Sequence, residues 1–341
     1  MYFKYFYLKN NYIKIFIIIV ASIIIDNLFI SYKFYSPPAW DQGYHLSNLF
    51  KMYNILNDQG INLFDKFDQL LNVTDSYRGP LTYFISAFFI KVFNNTYKYA
   101  YLSNQIFNVI SIISIFNLGK LLKNESTGIW ACLLFTFSTL ILNQRSDYLI
   151  DLSLTSFSTV GFLFFTKWFL DQKKISFYSS LSGIFLGFIF LTRPTGIINF
   201  SFPFILIFFK LIKRKYSFAD NLKELIFFFT AFLIVIFPWF SRNWLTIITS
   251  TFNAWKWGIN YQEGLEYSSL DSWIFYFKKL PLILGPINFS IFAIIYLIEK
   301  VFKNNLSKFK FKQISKVSLF FMSYLLNCYL IISLMSTKDI R

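Results

Sequence analysis

The chain has 341 residues, of which 55% are hydrophobic and only 15% charged, with a mean hydropathy of +0.49. Soluble domains carry about 25% charge, so this composition excludes an ordinary water-soluble globule. The net charge of +16 would suggest nucleic acid in a soluble protein; in a membrane protein it must first be assigned to a face of the bilayer.

Apolar runs of bilayer-spanning length recur along the sequence. The first, IKIFIIIVASIIIDNLFIS (13–31), is long and is followed by no small-residue cleavage site, so it reads as a retained span rather than a signal peptide. Asp26 falls near its outer end and reads as an interfacial residue, with a part in the site as the alternative. An outer segment, 32–80, follows and contains PPAWDQGYHL, where Asp41 and the chain's one histidine, His45, are four residues apart and so share a face of one short helix. Asp41 reads as a general base or metal ligand with His45 as auxiliary neighbour; the plain reading of both is a solvated interfacial helix. The segment ends at Tyr77-Arg78-Gly79-Pro80. Arg78 offers a forked donor to phosphate oxygens, and Gly79 permits close backbone approach; the alternative is an arginine reaching to lipid headgroups.

LTYFISAFFIKVF (81–93) is apolar but short. It reads as a helix in the outer interface, with a full crossing as the alternative. Spans are expected at 99–119, 125–142 and 149–170. RSDYLID (145–151) enters the last of these, placing Asp147 and Asp151 at i and i+4 at a helix N-terminus, where negative charge is favoured. Capping accounts for Asp147 more readily than for Asp151, which lies further into the apolar run. Spans 177–192 and 196–212 are separated by LTRPTG (191–196), whose Pro and Gly make a turn and whose Arg193 is either substrate-facing or a turn residue. Span 224–240 ends in FPWFSRNW, which carries Arg242 among aromatic anchors. A second long outer segment, 241–282, precedes spans 283–299 and 317–335. The sequon-like Asn94-Asn95-Thr96 is a weak signal.

The basic clusters Lys4/Lys9/Lys14, Lys120/Lys123, Lys173/Lys174, Lys210 to Lys223 and Lys300 to Lys316 all fall at one end of these spans. Positive charge favours the cytoplasmic side, which sets nine crossings with the N-terminus inside. Most of the net charge then faces anionic lipid, and nucleic acid is excluded as a partner. Asp41, His45, Arg78, Arg145, Asp147, Asp151, Arg193 and Arg242 come from distant parts of the sequence yet reach the same outer face. Ionisable groups at membrane depth are costly and usually functional. Cys132 and Cys328 lie far apart in apolar runs and form no disulfide framework or metal site.

In their order, these motifs resemble the GT-C membrane glycosyltransferases, in the branch of the protein O-mannosyltransferases and the lipid A aminoarabinose transferase. WDQGYHL after a first span is similar to the acidic motif that opens that family's first outer loop. YRGPLTYFISAFFIKVF is similar to its segment with a basic residue and prolines and the helix that follows. RSDYLIDLSL resembles the stretch bearing its second outer aspartate, and LTRPTG and PWFSRNW fit later turns. The resemblance covers roughly residues 10–245. It implies a sugar donor on a polyprenyl phosphate, attack by an acceptor hydroxyl on the anomeric carbon with inversion, and departure of the lipid phosphate. It gives Asp41 a general-base or acceptor-orienting role, Arg78 the neutralisation of the leaving phosphate, and Asp151 a hold on a divalent metal or on the acceptor. Arg193 and Arg242 are further candidates for the lipid phosphate. Three departures stand out: Gln42 replaces a second acid, Gly79-Pro80 replaces a double proline, and the chain ends at MSTKDIR where relatives continue, which fits a short member or a truncated reading frame.

The expectation is therefore an all-α polytopic membrane protein of about nine transmembrane helices, a single domain over 1–341 whose first outer loop (32–80) holds interfacial helices and the site. Its expected activity is glycosyl transfer from a polyprenyl-phosphate sugar to a lipid, glycan or protein acceptor on the extracytoplasmic face of the inner membrane. No cofactor is required by the sequence; a divalent metal between Asp41 and Asp151 is one reading. The alternatives are a ligase or a transporter/flippase for lipid-linked sugars. A carrier is expected to show repeated halves and broken helices mid-membrane, and the sequence displays neither.

Overall fold

In lipid every backbone polar group must be bonded within the protein, so long apolar runs fold as helices. The computed structural model describes residues 2–33, 40–74, 78–93, 97–172, 176–213, 218–260, 269–302 and 315–334, and among these every regular element is helical. The long entry helix α1 (Tyr2–Lys33) leads to the outer segment, which holds α2 (Trp40–Asn57) and α3 (Leu63–Asn72). Asn62 caps α3 by accepting from the Asp65 backbone N–H at 2.9 Å. Next come α4 (Leu81–Phe93), α5 (Tyr97–Leu102), α6 (Asn104–Leu122), α7 (Glu125–Thr136), α8 (Thr139–Ser146), α9 (Asp151–Leu170) and α10 (Phe177–Thr192). A 3-10 turn (Pro194–Phe200) opens α11 (Ser201–Lys213), and α12 (Phe218–Asn260), α13 (Leu270–Phe302) and α14 (Lys316–Leu334) are the remaining described helices.

The core forms where α6, α9, α10, α11, α12 and α14 meet, and it is filled by aromatic rings: Phe107, Phe165, Trp168, Phe200 and Phe228 are all buried. A second cluster joins α2, α4 and the α8–α9 junction through Leu46, Leu49, Tyr83, Ala87, Tyr148 and Ile150. It fixes the outer segment onto the bundle. α4 is 13 residues long, about 20 Å. It is short against a hydrocarbon core of about 30 Å, and its buried face (Thr82, Tyr83, Ser86, Ala87, Ile90) packs within the outer cluster.

A helical segment coincides with each of the nine expected spans. Length and apolarity, however, mark six of the described helices as able to cross a membrane, or seven with the bent pair α7–α8 counted as one, so the count of nine exceeds what they mark. The shortfall includes α10, with only 16 residues. The expected span 125–142 is not one helix: α7 and α8 meet at a 62° bend. α13 is likewise broken, at Gly285 with φ 79°. A side chain there would meet Thr139 Oγ1 of α8, so the two breaks face each other. Ser138 Oγ donates to the Ile283 carbonyl at 2.8 Å and Asn288 Nδ2 to the Leu134 carbonyl at 2.8 Å, so each break has carbonyls capped from the other helix. Broken spans are thus present where the sequence displayed none.

The second outer segment also differs from expectation. Residues 241–260 continue α12, which runs 43 residues through Pro238, and 270–282 begin α13. At 1.5 Å per residue α12 is about 65 Å long, so it projects well beyond a bilayer core. Nothing between Ser241 and Asn260 breaks a helix, since the stretch has no proline and only Gly258. Residues 261–268, the Asn94-Asn95-Thr96 motif, Lys173/Lys174, the basic run 303–312 and the terminal MSTKDIR (335–341) lie outside the described residues.

Candidate active site

The site is built on three breaks in helical structure. The first is the N-terminus of α2, which carries Asp41 in its opening turn. The second is the segment Arg78-Gly79-Pro80 before α4; Tyr77, the first residue of that motif, lies outside the described residues. The third is the turn where α10 ends at Thr192 and Arg193 begins the loop into the 3-10 turn.

Gly79 locks the second break to the third. Its backbone N–H donates to the Thr192 carbonyl at 3.1 Å, and a Cβ placed on it would sit 1.9 Å from the Leu191 carbonyl oxygen. Only glycine permits this approach. Arg78 and Arg193 are thereby the chain neighbours of a bonded pair, Gly79 and Thr192. Arg193 in turn reaches the first residue of α9: its Nη1 lies 3.5 Å from Asp151 Oδ1. The arginine is 40% exposed and the aspartate 21%, so the pair stays open to a ligand. Asp151 is also the first residue of α9.

The first break joins through aromatic contacts. The Arg78 guanidinium lies 4.9 Å from the centre of the Tyr44 ring, one turn after Asp41 on α2. Gln42, beside Asp41, accepts from the Tyr101 hydroxyl at 3.2 Å. The Tyr101 ring packs edge-on against Tyr148, three residues before Asp151. His45 is buried, with Nδ1 2.6 Å from the Tyr83 hydroxyl. Burial pushes the Tyr83 hydroxyl well above the ordinary tyrosine range, which keeps it a neutral hydrogen-bonding group.

The structure therefore brings Arg78, Asp151 and Arg193 together and attaches Asp41 and His45 to them through α2. Asp147 stands at the end of α8, half-buried, with its carbonyl held by Asn104 Nδ2 at 2.8 Å. Arg242 is engaged elsewhere: its Nε lies 2.8 Å from Asp68 of α3 and its Nη1 donates to the Pro238 carbonyl at 2.8 Å. Asp26 is corrected from an interfacial residue to a buried one. It pairs with Arg145 at 3.1 Å, both side chains being essentially sealed from solvent, and accepts from Gln105 at 2.7 Å. An interfacial aspartate would be hydrated; here the charge of Arg145, from the end of α8, takes the place of water. Tyr44, Tyr83 and Tyr101 escaped sequence reading because a tyrosine in an apolar run gives no periodic or charge signal.

For a divalent metal, the expected ligands are Asp41 and Asp151. Among the described residues no three histidine, cysteine, aspartate or glutamate side chains are grouped to hold one. Asp151 faces a guanidinium, so the donor set present fits an anion held by arginines better than a metal ion.

Comparisons with known proteins agree with the family read in the motifs. Residues 77–241 match the family described as dolichyl-phosphate-mannose-protein mannosyltransferase. That stretch contains Arg78, Asp147, Asp151 and Arg193, stops one residue before Arg242, and leaves Asp41 and His45 outside. The fold is similar to the crystal structure of ArnT from Cupriavidus metallidurans bound to undecaprenyl phosphate, with a TM-score of 0.60 and 11% sequence identity. The similarity covers 95% of this chain but 56% of that one, so the chain spans little more than half the length of the protein it resembles. No curated protein matches the sequence.

Proposed function

We propose that the protein is a membrane glycosyltransferase that moves a sugar from a polyprenyl-phosphate donor to an acceptor hydroxyl. The observation that carries this reading is the docking of Arg78-Gly79 onto Thr192-Arg193 beside Asp151, with the Asp41 helix attached through Tyr44. Two guanidinium groups from separate elements suit a phosphate diester, whose oxygens accept forked hydrogen bonds. The similar protein's crystal structure contains undecaprenyl phosphate, a ligand of that chemistry.

In the proposed reaction Arg78 and Arg193 hold the donor phosphate. As the bond from the anomeric carbon to the phosphate oxygen breaks, negative charge grows on the leaving phosphate, and the two arginines offset it where water is scarce. Asp41 takes the proton from the acceptor hydroxyl as its oxygen attacks the opposite face of the anomeric carbon, which inverts the configuration. Asp151 orients Arg193 through their ion pair, or orients the acceptor. The acceptor is a lipid, glycan or protein hydroxyl. The basic clusters at the opposite helix ends support a site on the extracytoplasmic face of the inner membrane with the N-terminus in the cytoplasm.

The paired breaks at Ser138 and Gly285 give a specific reason to keep a carrier for lipid-linked sugars as the second reading. The test is sugar release from radiolabelled polyprenyl-phosphate sugars in membranes bearing the protein or its Asp41→Asn variant. Transfer by the wild type and its loss in the variant is the expected result. Full transfer by Asp41→Asn would remove Asp41 as the base. Donor movement across the bilayer without transfer would favour the carrier.

A further inference from the structure

His45 and Tyr83 are buried where α2 meets α4, among Leu46, Leu49, Met52, Ala87 and Ile90, with the Asn48 side chain also reaching the Tyr83 hydroxyl. The exposures of His45 and Tyr83 are 3% and 0%. The two rings stack at 5.7 Å with planes 27° apart, and the Nδ1 to hydroxyl distance is 2.6 Å. A leucine and a phenylalanine would fill this space without desolvating two polar groups, so packing alone does not call for the pair. A directional bond adds something that packing lacks: it fixes the rotation of α2 about its own axis against α4.

The positions of the two residues say what that rotation controls. His45 lies one helical turn after Asp41, on the same face of α2. Tyr83 lies in the first turn of α4, five residues after Arg78. Its chain neighbour Thr82 is bonded the other way, Oγ1 to Ser153 Oγ of α9 at 2.5 Å, two residues after Asp151. One turn of α4 therefore grips the Asp41 helix with one residue and the Asp151 helix with the next.

We propose that His45 and Tyr83 are a positioning pair that sets Asp41 against the Arg78–Arg193 phosphate site. The inference rests on the glycosyltransferase reading for the roles of Asp41 and Arg78. The donor is held by the arginines, so loosening the pair leaves donor affinity largely intact and misplaces the base. Misplacement by about 1 Å costs up to 10²-fold in rate, and it is read in kcat rather than KM.

The experiment uses the full chain in lipid nanodiscs, as wild type, His45→Phe, Tyr83→Phe, the double variant and His45→Asn. Two quantities are measured: transfer kinetics with a polyprenyl-phosphate sugar, and hydrogen–deuterium exchange of residues 40–57 and 81–93, which needs no donor. Each single Phe variant is expected to lower kcat roughly tenfold with KM changed less than about twofold. The double variant is expected to be no worse than Tyr83→Phe alone, because that change already removes the His45 bond together with the Asn48 contact. His45→Asn, which keeps a hydrogen-bonding group near the Nδ1 position, is expected to recover most of the loss, and exchange in α2 is expected to rise wherever kcat falls. A double variant whose losses multiply, or a kcat loss with α2 exchange unchanged, overturns the proposal. A wild type that transfers no sugar sinks the glycosyltransferase reading instead; the exchange data on the same proteins then decide the pair alone, an additive rise in the double variant counting against it.

Discussion

Arg78, Arg193 and Arg242 are chemically alike in sequence, and their neighbours separate them. Arg78 and Arg193 are brought to one place by the Gly79–Thr192 bond and the Asp151 ion pair. Replacing Arg78 with Gln is expected to raise the donor KM by about tenfold or more, and Lys to recover only part, since a point charge lacks the guanidinium fork; donor titration of transfer rates checks this. Arg242 is paired with Asp68, and both are well exposed, at 39% and 53%. Such a pair contributes about 0–1 kcal/mol, so Asp68→Asn is expected to shift thermal unfolding very little. If Arg242 binds the lipid phosphate as the sequence reading has it, Arg242→Gln weakens donor binding while Asp68→Asn does not. The Asp26–Arg145 pair is the opposite case. Removing one partner leaves a buried charge and costs about 3–5 kcal/mol; Asp26→Asn is expected to lower the unfolding temperature in detergent markedly more than Asp68→Asn. Both residues were visible as polar groups near helix ends, but nothing in one dimension couples positions 26 and 145.

Most of the helices follow from apolar run length, and the differences arise where a run contains no strong breaker or where a break is made by tertiary contacts. α12 continues past Pro238 because the residues after it tolerate helix. α7 and α8 separate although no proline or glycine lies between Thr136 and Thr139. The bend is held instead by Arg145 Nη2 on the Thr136 carbonyl at 2.9 Å and by Asn288 Nδ2 of α13 on the Leu134 carbonyl at 2.8 Å. The Gly79 contact offers a test at this scale. Gly79→Ala is expected to push the Arg78 segment off α10, because backbone carbonyl atoms at 1.9 Å cannot rotate away as a side chain could. Overpacking of this kind costs about 1–3 kcal/mol; transfer activity should fall together with thermal stability, and an alanine variant with wild-type behaviour in both would show that the close approach is dispensable.

At the scale of the whole molecule, the charge asymmetry gives an orientation that cysteine labelling can read. In a background lacking Cys132 and Cys328, a cysteine at exposed Ser47 on α2 is expected to react with a membrane-impermeant maleimide from outside the cell. One at exposed Lys123, between α6 and α7, is expected to react only after permeabilisation. The reverse pattern would turn the protein over and place the site on the cytoplasmic face. The sequence by itself determined the helical membrane class, because a bilayer leaves few options for long apolar runs. It also singled out the charged residues proposed for the site, because isolated charges in such a chain stand out. The tertiary structure alone decided which charges meet. Asp151 found Arg193, Asp26 found Arg145, Arg242 found Asp68, and His45 found Tyr83 across separations of 38 to 174 residues. Pairing depends on which helix faces pack, and packing is set by the shapes of many side chains at once, which no local spacing records.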